Sequence, residues 1–241
     1  MDKKLTTQEF WDSSYKDLRF SGMSEEYPTI KIIYENFLKN ENKTIFEIGC
    51  FPGRFLYHFG KLGYELNGID QTEYLDRMID WFKNNSFKIG GFRQGDVFNL
   101  SFDKQYDVVA SFGFIEHFEN FEEVLKIHCN LVKAGGYIYV TVPNFAGFIQ
   151  NKLHSFFDNE SLNKHCVPSM DPEKWARVLK TEGFEIIKNG YLGGFDFWVG
   201  NQKRNFLKKI IIKAIRIFLP IRFLPNSRSY SPEIYIIAKK I

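Results

Sequence analysis

Residues 44–70 read TIFEIGCFPGRFLYHFGKLGYELNGID, and the order of features along this stretch decides the fold. The short apolar run Ile45-Phe46-Glu47-Ile48 reads as a buried strand. Gly49-Cys50-Phe51-Pro52-Gly53 then makes a turn. Beyond it Phe55, Leu56, Phe59 and Leu62 share one helical face, and Gly63 stands where a glycine ends a helix. A second strand over 64–69 stops on Asp70. Strand, tight turn, helix, strand and acid in this order predict a nucleotide-binding βαβ unit, with its ligand at the carboxyl ends of the strands.

The turn also carries chemistry. Gly49 and Gly53 let the backbone approach a ligand where a side chain would collide. Asp70, 21 residues past Gly49, is placed to accept both hydroxyls of a ribose. The dinucleotide fingerprint G-x-G-x-x-G would need glycine at 51 and 54, where this chain has Phe51 and Arg54. The pattern E-x-G-x-x-P-G, from Glu47 to Gly53, instead resembles motif I of the class I S-adenosylmethionine-dependent methyltransferases. The usual form of that motif is E/D-x-G-x-G-x-G, so Phe51 departs at the middle glycine. Pro52 biases Phe51 towards extended geometry, in which its ring can wall the cofactor; the alternative is a displaced loop and weaker binding.

Composition bounds the rest. A chain of 241 residues with 17% aromatics buries one sizeable core and is expected to form a single domain over 1–241. Cys50, Cys129 and Cys166 are too few and too scattered for a disulfide framework or a zinc site. The five histidines show no ligand spacing, so no metal is expected. Residues 1–6 contain no apolar run of the secretory kind, which makes a reducing cytoplasm the default compartment. A net charge of +3, with no aromatic-basic interleaving in the core, gives no reason to expect nucleic acid.

Upstream of the βαβ unit, Phe10, Trp11, Ser14, Tyr15 and Leu18 share a helical face over 7–20. In methyltransferases that look like this one, such a helix lies over the cofactor as a lid, where Trp11 and Tyr15 would shut out water; the alternative is a helix packed outside the sheet. A second helix over 29–40 buries Ile30, Ile33, Tyr34 and Phe37, completing an N-terminal helical region over 1–43. Downstream come a helix over 72–84, a weak strand over 87–93 loosened by Gly90-Gly91, and Asp96-Val97. The resemblance implies that Asp96 takes the adenine amino group and the Val97 N–H a ring nitrogen; a turn cap is the plainer role for such an Asp. Gln71, beside Asp70, joins the implied cofactor set.

A strand over 106–111 leads into Phe112-Gly113-Phe114-Ile115-Glu116-His117, similar to the segment after the fourth strand in the family. The resemblance places backbone carbonyls near Phe112 against the cofactor's ammonium group and His117 near the sulfonium. With an unperturbed pKa of about 6.5, His117 suits a general base, although a lone histidine is more often structural. A helix over 121–132 closed by Gly135-Gly136 and a strand over 137–142 complete a cofactor-binding core over 44–143. Asp171 and Pro172 start another helix, which Gly183 stops. Strands over 184–188 and 233–238 follow, and the family pairs such strands in a closing hairpin. The expected fold is therefore α/β: a doubly wound, Rossmann-like sheet of about seven strands, the last antiparallel.

Two segments lie outside this core. Residues 144–170 read as a long loop on the acceptor side, with His165 as a second candidate base. The second, 202–228, interrupts the final hairpin. Lys203 to Arg228 carries eight basic residues and no acid, and taking these eight from the net +3 leaves −5 elsewhere. Lys208, Lys209, Lys213 and Arg216 fall in one helical sector of about 140° at 100° per residue, with apolar residues around most of the rest. Such a helix over 203–224 either packs on the protein or a second subunit, or makes peripheral contact with the inner face of a membrane.

The resemblance implies a transferase moving the methyl group of S-adenosyl-L-methionine by O-methylation to a small-molecule or glycan hydroxyl, or to a lipid-linked intermediate. Glu47, Gly49, Phe51, Gly53, Asp70, Asp96 and Val97 would hold the cofactor. A non-catalytic cofactor-binding module and, further off, a nicotinamide-dependent oxidoreductase are the alternatives.

Overall fold

In the computed structural model, which describes residues 4–40, 42–100, 103–200, 205–218 and 224–241, the apolar runs pair into one seven-stranded sheet. Its strands are β1 (Thr44–Ile48), β2 (Glu65–Asp70), β3 (Ile89–Gln94), β4 (Tyr106–Phe112), β5 (Val132–Pro143), β6 (Phe184–Leu192) and β7 (Glu233–Lys240). They lie in the order β3-β2-β1-β4-β5-β7-β6. The first five run parallel, with Ile45 opposite Leu66 on one side and Val108 on the other. β7 enters antiparallel between β5 and β6, pairing Tyr139 with Ile237. This is the doubly wound sheet that the sequence predicts, and its strand order reverses between β1 and β4, where ligands of such sheets bind.

The helices are α1 (Gln8–Tyr15), α2 (Pro28–Asn36), α3 (Leu56–Lys61), α4 (Leu75–Asn84), α5 (Phe121–Leu131), α6 (Phe148–Phe157), α7 (Asn159–Asn163), α8 (Pro172–Thr181) and α9 (Phe206–Phe218). Strand alternation sorts the core into two layers. Ile45, Leu66 and Val108 face α2, α3 and α4, against Ile33, Phe59, Met78 and Phe82. Phe46, Ile48 and Val109 face α5 and α8, against Leu125, Trp175 and Leu179. Each such fully buried side chain contributes about 1.5–3 kcal/mol of transfer free energy. Asp171 caps α8 by accepting from the Glu173 N–H, with Pro172 at its first position, as its sequence signature requires.

Three expectations are corrected. α1 stops at Tyr15 instead of running to residue 20. Leu18 and Phe20 are drawn off to the α3–α4 layer, and the Arg77 guanidinium donates to the carbonyls of Lys16 and Leu18. Gly135-Gly136 does not close α5; both glycines lie inside β5, which begins at Val132. A Cβ on Gly136 would sit 2.9 Å from the Asp107 carbonyl oxygen, so the close approach of β4 calls for the glycine there. Residues 145–170, read as a loop, hold α6, α7 and a 3-10 turn over Val167–Ser169, and bury Phe157 and His154.

Candidate active site

At the switch point a cavity of about 420 Å³ opens between the carboxyl ends of β1, β2 and β4 and the N-terminal segment. Its volume lies within the usual range for small-molecule sites. Trp11, Tyr15, Gly49, Phe51, Asp70, Gln71, Asp96, Val97, Phe112 and His117 all line it. Glu47, Gly53 and His165 are not among the lining residues.

The β1–α3 loop is built by backbone bonds. The N–H groups of Gly49 and Cys50 both donate to the Ile69 carbonyl, at 2.9 and 3.1 Å. Gly49 has φ of 70°, and a Cβ there would lie 2.4 Å from Cδ2 of Phe114. The Phe51 N–H donates to Asp70 Oδ2 and the Thr72 N–H to Oδ1, both at 3.0 Å. The Gln71 N–H bonds the same carboxylate, which leaves at least one of its roughly four lone-pair sites over. Burial raises the Asp70 pKa, and the N–H donors with the Lys4 ammonium pull it back. The Phe51 ring, across a cis Phe51–Pro52 peptide, packs on Tyr15 with centroids 4.6 Å apart and on Phe20 at 5.7 Å. It forms wall where the family motif has glycine.

Glu47 supports this loop from behind. Its buried carboxylate accepts the Leu56 N–H at the start of α3, where a helix leaves donors unsatisfied. Burial, then repulsion from Asp70, push its pKa well up, and Oε2 has no partner. Gly53 serves packing: a Cβ there would stand 2.5 Å from Cζ of Phe82 on α4.

The N-terminal segment lies across the cavity mouth. Lys4 donates to Gln71 Oε1 at 2.9 Å, and the Leu5 N–H to the His117 carbonyl at 2.8 Å. Thr72 donates its hydroxyl to Asp12 Oδ1 at 2.7 Å, fixing α1 to the end of β2. Trp11 meets the His117 ring edge-on at 5.2 Å. Burial lowers the Lys4 pKa, while Asp96 and Asp70 act to raise it. Asp96 itself caps the 3-10 turn Val97–Asn99, with Oδ1 accepting the Phe98 N–H at 3.0 Å. It is thus both a turn cap and a cavity residue.

His117 ends a 3-10 turn, Ile115–His117, just after β4. Its Nδ1 faces the Lys164 carbonyl at 3.0 Å. A carbonyl accepts only, so Nδ1 carries the proton and Nε2 is left with its lone pair. Burial, then the neighbouring His165, lower the His117 pKa to about 3. His165 lies 4.7 Å away by ring centroid, and its own Nδ1 faces the Ser161 carbonyl. Glu116, 1% exposed, has its pKa pushed up to about 8 by burial and an Oε2 without a partner. One donor atom each from Glu116, His117 and His165 lies within 4.8 Å of the others. The sequence shows no ligand spacing, because α6 and α7 separate these residues along the chain.

Sequence reasoning passed over Lys4, Phe114 and Glu116. Lys4 sits in a polar terminus with no pattern around it. Phe114 carries no signal beyond its place after β4. Glu116 adjoins the residue that the motif singles out.

The chain is similar to known proteins. Residues 24–189 match the family model described as a methyltransferase domain. Over 101 residues the chain is 31% identical to the ubiquinone biosynthesis O-methyltransferase of Rickettsia bellii, and that match spans 42% of each protein. A methyltransferase candidate of Bacillus halodurans C-125 has the same fold, with a TM-score of 0.62 at 16% identity, covering 87% of this chain and 97% of the other. A SAM-dependent methyltransferase of Archaeoglobus fulgidus superposes with a TM-score of 0.53 at 24% identity, covering 84% and 88%. Together with the βαβ unit and its E-x-G turn, the family match sets aside the nicotinamide alternative. The chain belongs to the class I S-adenosylmethionine-dependent methyltransferase family.

Proposed function

We propose that this protein moves the methyl group of S-adenosyl-L-methionine to a hydroxyl of a small molecule, a sugar or a lipid-linked intermediate. The observation that carries the reading is one cavity lined by both a buried carboxylate, Asp70, and a neutral histidine, His117. The residues present suit the cofactor. Asp70 has a lone pair left for a ribose hydroxyl, Asp96 and Val97 flank the end of β3, and Gly49 keeps the β1–α3 loop free of a side chain. Gln71, Tyr15 and Trp11 close the mouth, while Glu47 and Gly53 hold the loop from behind.

S-adenosylmethionine supplies a methyl carbon already activated by its sulfonium. What remains for the protein is in-line positioning and removal of the acceptor's proton. Nε2 of His117 offers a lone pair for that proton, although burial, which takes its pKa from about 6.5 to about 3, makes it a weaker base than the sequence suggests. The His165 ring lies 4.7 Å away. The Trp11 ring beside His117 keeps water from competing. The Rickettsia relative, by its name an O-methyltransferase, supports oxygen as the acceptor atom.

Peripheral contact with an anionic membrane through 203–224 belongs to the same reading, since α9 exposes apolar and basic side chains side by side. Among the described residues no helix is long and apolar enough to cross a membrane. Lys203, Arg204 and Arg222, three of the eight basic residues counted in this segment, lie outside the described residues.

The test is methyl transfer from labelled S-adenosylmethionine to a panel of phenols, sugars and polyprenyl-linked sugars, read by mass spectrometry. Methyl ethers are expected. Label found only on nitrogen or carbon acceptors overturns the reading.

A further inference from the structure

Three donor atoms that converge on one point, from two segments far apart in the chain, ask for an occupant. Glu116 and His117 come from the turn after β4, and His165 from the stretch that follows α7. Nε2 of His117 lies 3.9 Å from Oε1 of Glu116, and a donor atom of His165 completes a set within 4.8 Å. Ligands at metal bond lengths of about 2.0–2.2 Å stand roughly 3–3.5 Å from one another, so a closure of about 1 Å brings the set to an ion. Both imidazoles are already oriented for this. Each points Nδ1 at a backbone carbonyl, that of Lys164 or of Ser161, which leaves Nε2 as the free donor. Such outer hydrogen bonds are how proteins hold metal-binding histidines. Glu116 adds the independent observation: Oε2 is buried, and no hydrogen bond satisfies it. An orphaned carboxylate oxygen in the interior is destabilising, a penalty that a bound cation removes.

We propose that Glu116, His117 and His165 form a binding site for a divalent transition-metal ion. Two imidazoles and one carboxylate suit zinc or ferrous iron, and not magnesium or calcium, which take all-oxygen sets. His117 lines the cavity, so the ion keeps an open position facing the methyl acceptor. This consequence rests on the methyl-transfer reading. The acceptor oxygen occupies the open position and loses its proton to solvent under the pull of the ion. Its electron pair forms the new O–C bond as the S–C bond breaks, and the pair from that bond stays on sulfur. His117 is then a ligand and no longer the base, and the ion takes over that role by lowering the pKa of the acceptor hydroxyl.

The experiment is calorimetric titration of chelator-treated full-length protein with Zn²⁺, and with Co²⁺ followed by its visible absorption. S-adenosylhomocysteine binding is measured on the same preparations. One ion per chain is expected, with affinity at least 100-fold weaker in Glu116→Gln and in His165→Ala. Retained S-adenosylhomocysteine binding in those variants shows that they are folded. Two results overturn the site: no ion bound by protein that binds S-adenosylhomocysteine, or ion binding unchanged in both variants. Where no form of the protein binds S-adenosylhomocysteine, ion binding lost in variants whose circular dichroism and unfolding match wild type upholds the site and overturns the methyl-transfer reading instead.

Discussion

The Phe51 main-chain N–H and the Asp70 carboxylate meet at 3.0 Å, so one side chain at the end of β2 ties down the loop after β1. The acid proposed to take the ribose is also the clamp of the loop around it. Two variants separate the roles. Asp70→Asn keeps an acceptor oxygen for one of the two N–H donors, whereas Asp70→Ala frees both Phe51 and Thr72. Loss of a buried partner costs about 1–3 kcal/mol, so Asp70→Ala should weaken S-adenosylhomocysteine by roughly 5- to 150-fold, and Asp70→Asn by less. Isothermal titration reads both. Wild-type affinity in Asp70→Ala would remove Asp70 from the cofactor site.

Gly49 offers a sharper stability test. Its φ of 70° is disfavoured for any side chain, and the Phe114 ring fills the space of a Cβ. Gly49→Ala is expected to cost about 1–3 kcal/mol from the backbone conformation, with a clash added. Trimming the ring in Gly49→Ala/Phe114→Ala should relieve the clash and leave the backbone cost. Denaturant unfolding of the four proteins in this cycle gives the coupling. Additive losses would show that Phe114 does not crowd Gly49.

Acid sensitivity should trace in part to His128. Fully buried on α5, its Nδ1 donates to the Val124 carbonyl at 2.8 Å, and Nε2 accepts from the Ser111 hydroxyl at 2.9 Å. Accepting from Ser111 needs the neutral ring, and burial lowers the pKa to about 4 against the Val124 bond, which alone would raise it. A depressed pKa means that the unfolded chain binds the proton first. The stabilisation is therefore full above pH of about 6.5 and is lost as pH falls towards about 4. Between pH 7 and pH 5 this amounts to about 2 kcal/mol. Unfolding measured at both pH values should show His128→Gln less stable than wild type at pH 7, with a smaller loss on acidification. Equal losses in both proteins would mean that His128 titrates normally.

The residues that sequence reasoning could place are those whose signal is local. The β1–α3–β2 unit announces itself through a short apolar run, positive-φ glycines and a strand-end acid, all within 27 residues. The end of α5 misled because a glycine pair stops a helix or lets two strands approach, and only the contact with Asp107 tells which. α6 stayed hidden because Phe148, Ile149 and Phe156 are exposed, which blurs the periodicity that marks a helix face. Lys4 over the cavity, and Glu116 with His117 and His165, depend on the chain closing on itself. No spacing rule reaches that far.

α9 divides its apolar surface in a way that a choice between packing and membrane does not capture. Ile212 is 6% exposed and packs with Phe157, Phe195 and Phe197, and Ile215 joins this cluster. Phe206 at 78%, Leu207 at 65% and Ile217 at 59% remain in the open. Lys208 donates to the Phe156 carbonyl at 2.7 Å and stands over that exposed ring, which joins the end of α6 to the same surface. One narrow face thus holds the helix to the protein, and the wider apolar face is free to enter a bilayer interface beside Lys209, Lys213 and Arg216. Interfacial helices combine these features, burying apolar side chains while basic ones meet anionic headgroups. Sedimentation with vesicles containing phosphatidylserine should pull the protein down at low salt and release it as screening rises. Each basic residue near the surface is worth about 1 kcal/mol, so Lys209→Ala/Arg216→Ala should weaken binding roughly 30-fold. Phe206→Ser/Leu207→Ser, which leaves Ile212 in place, should weaken binding even where salt has screened the charges. Protein that stays in the supernatant at low salt would leave this apolar face to another protein surface.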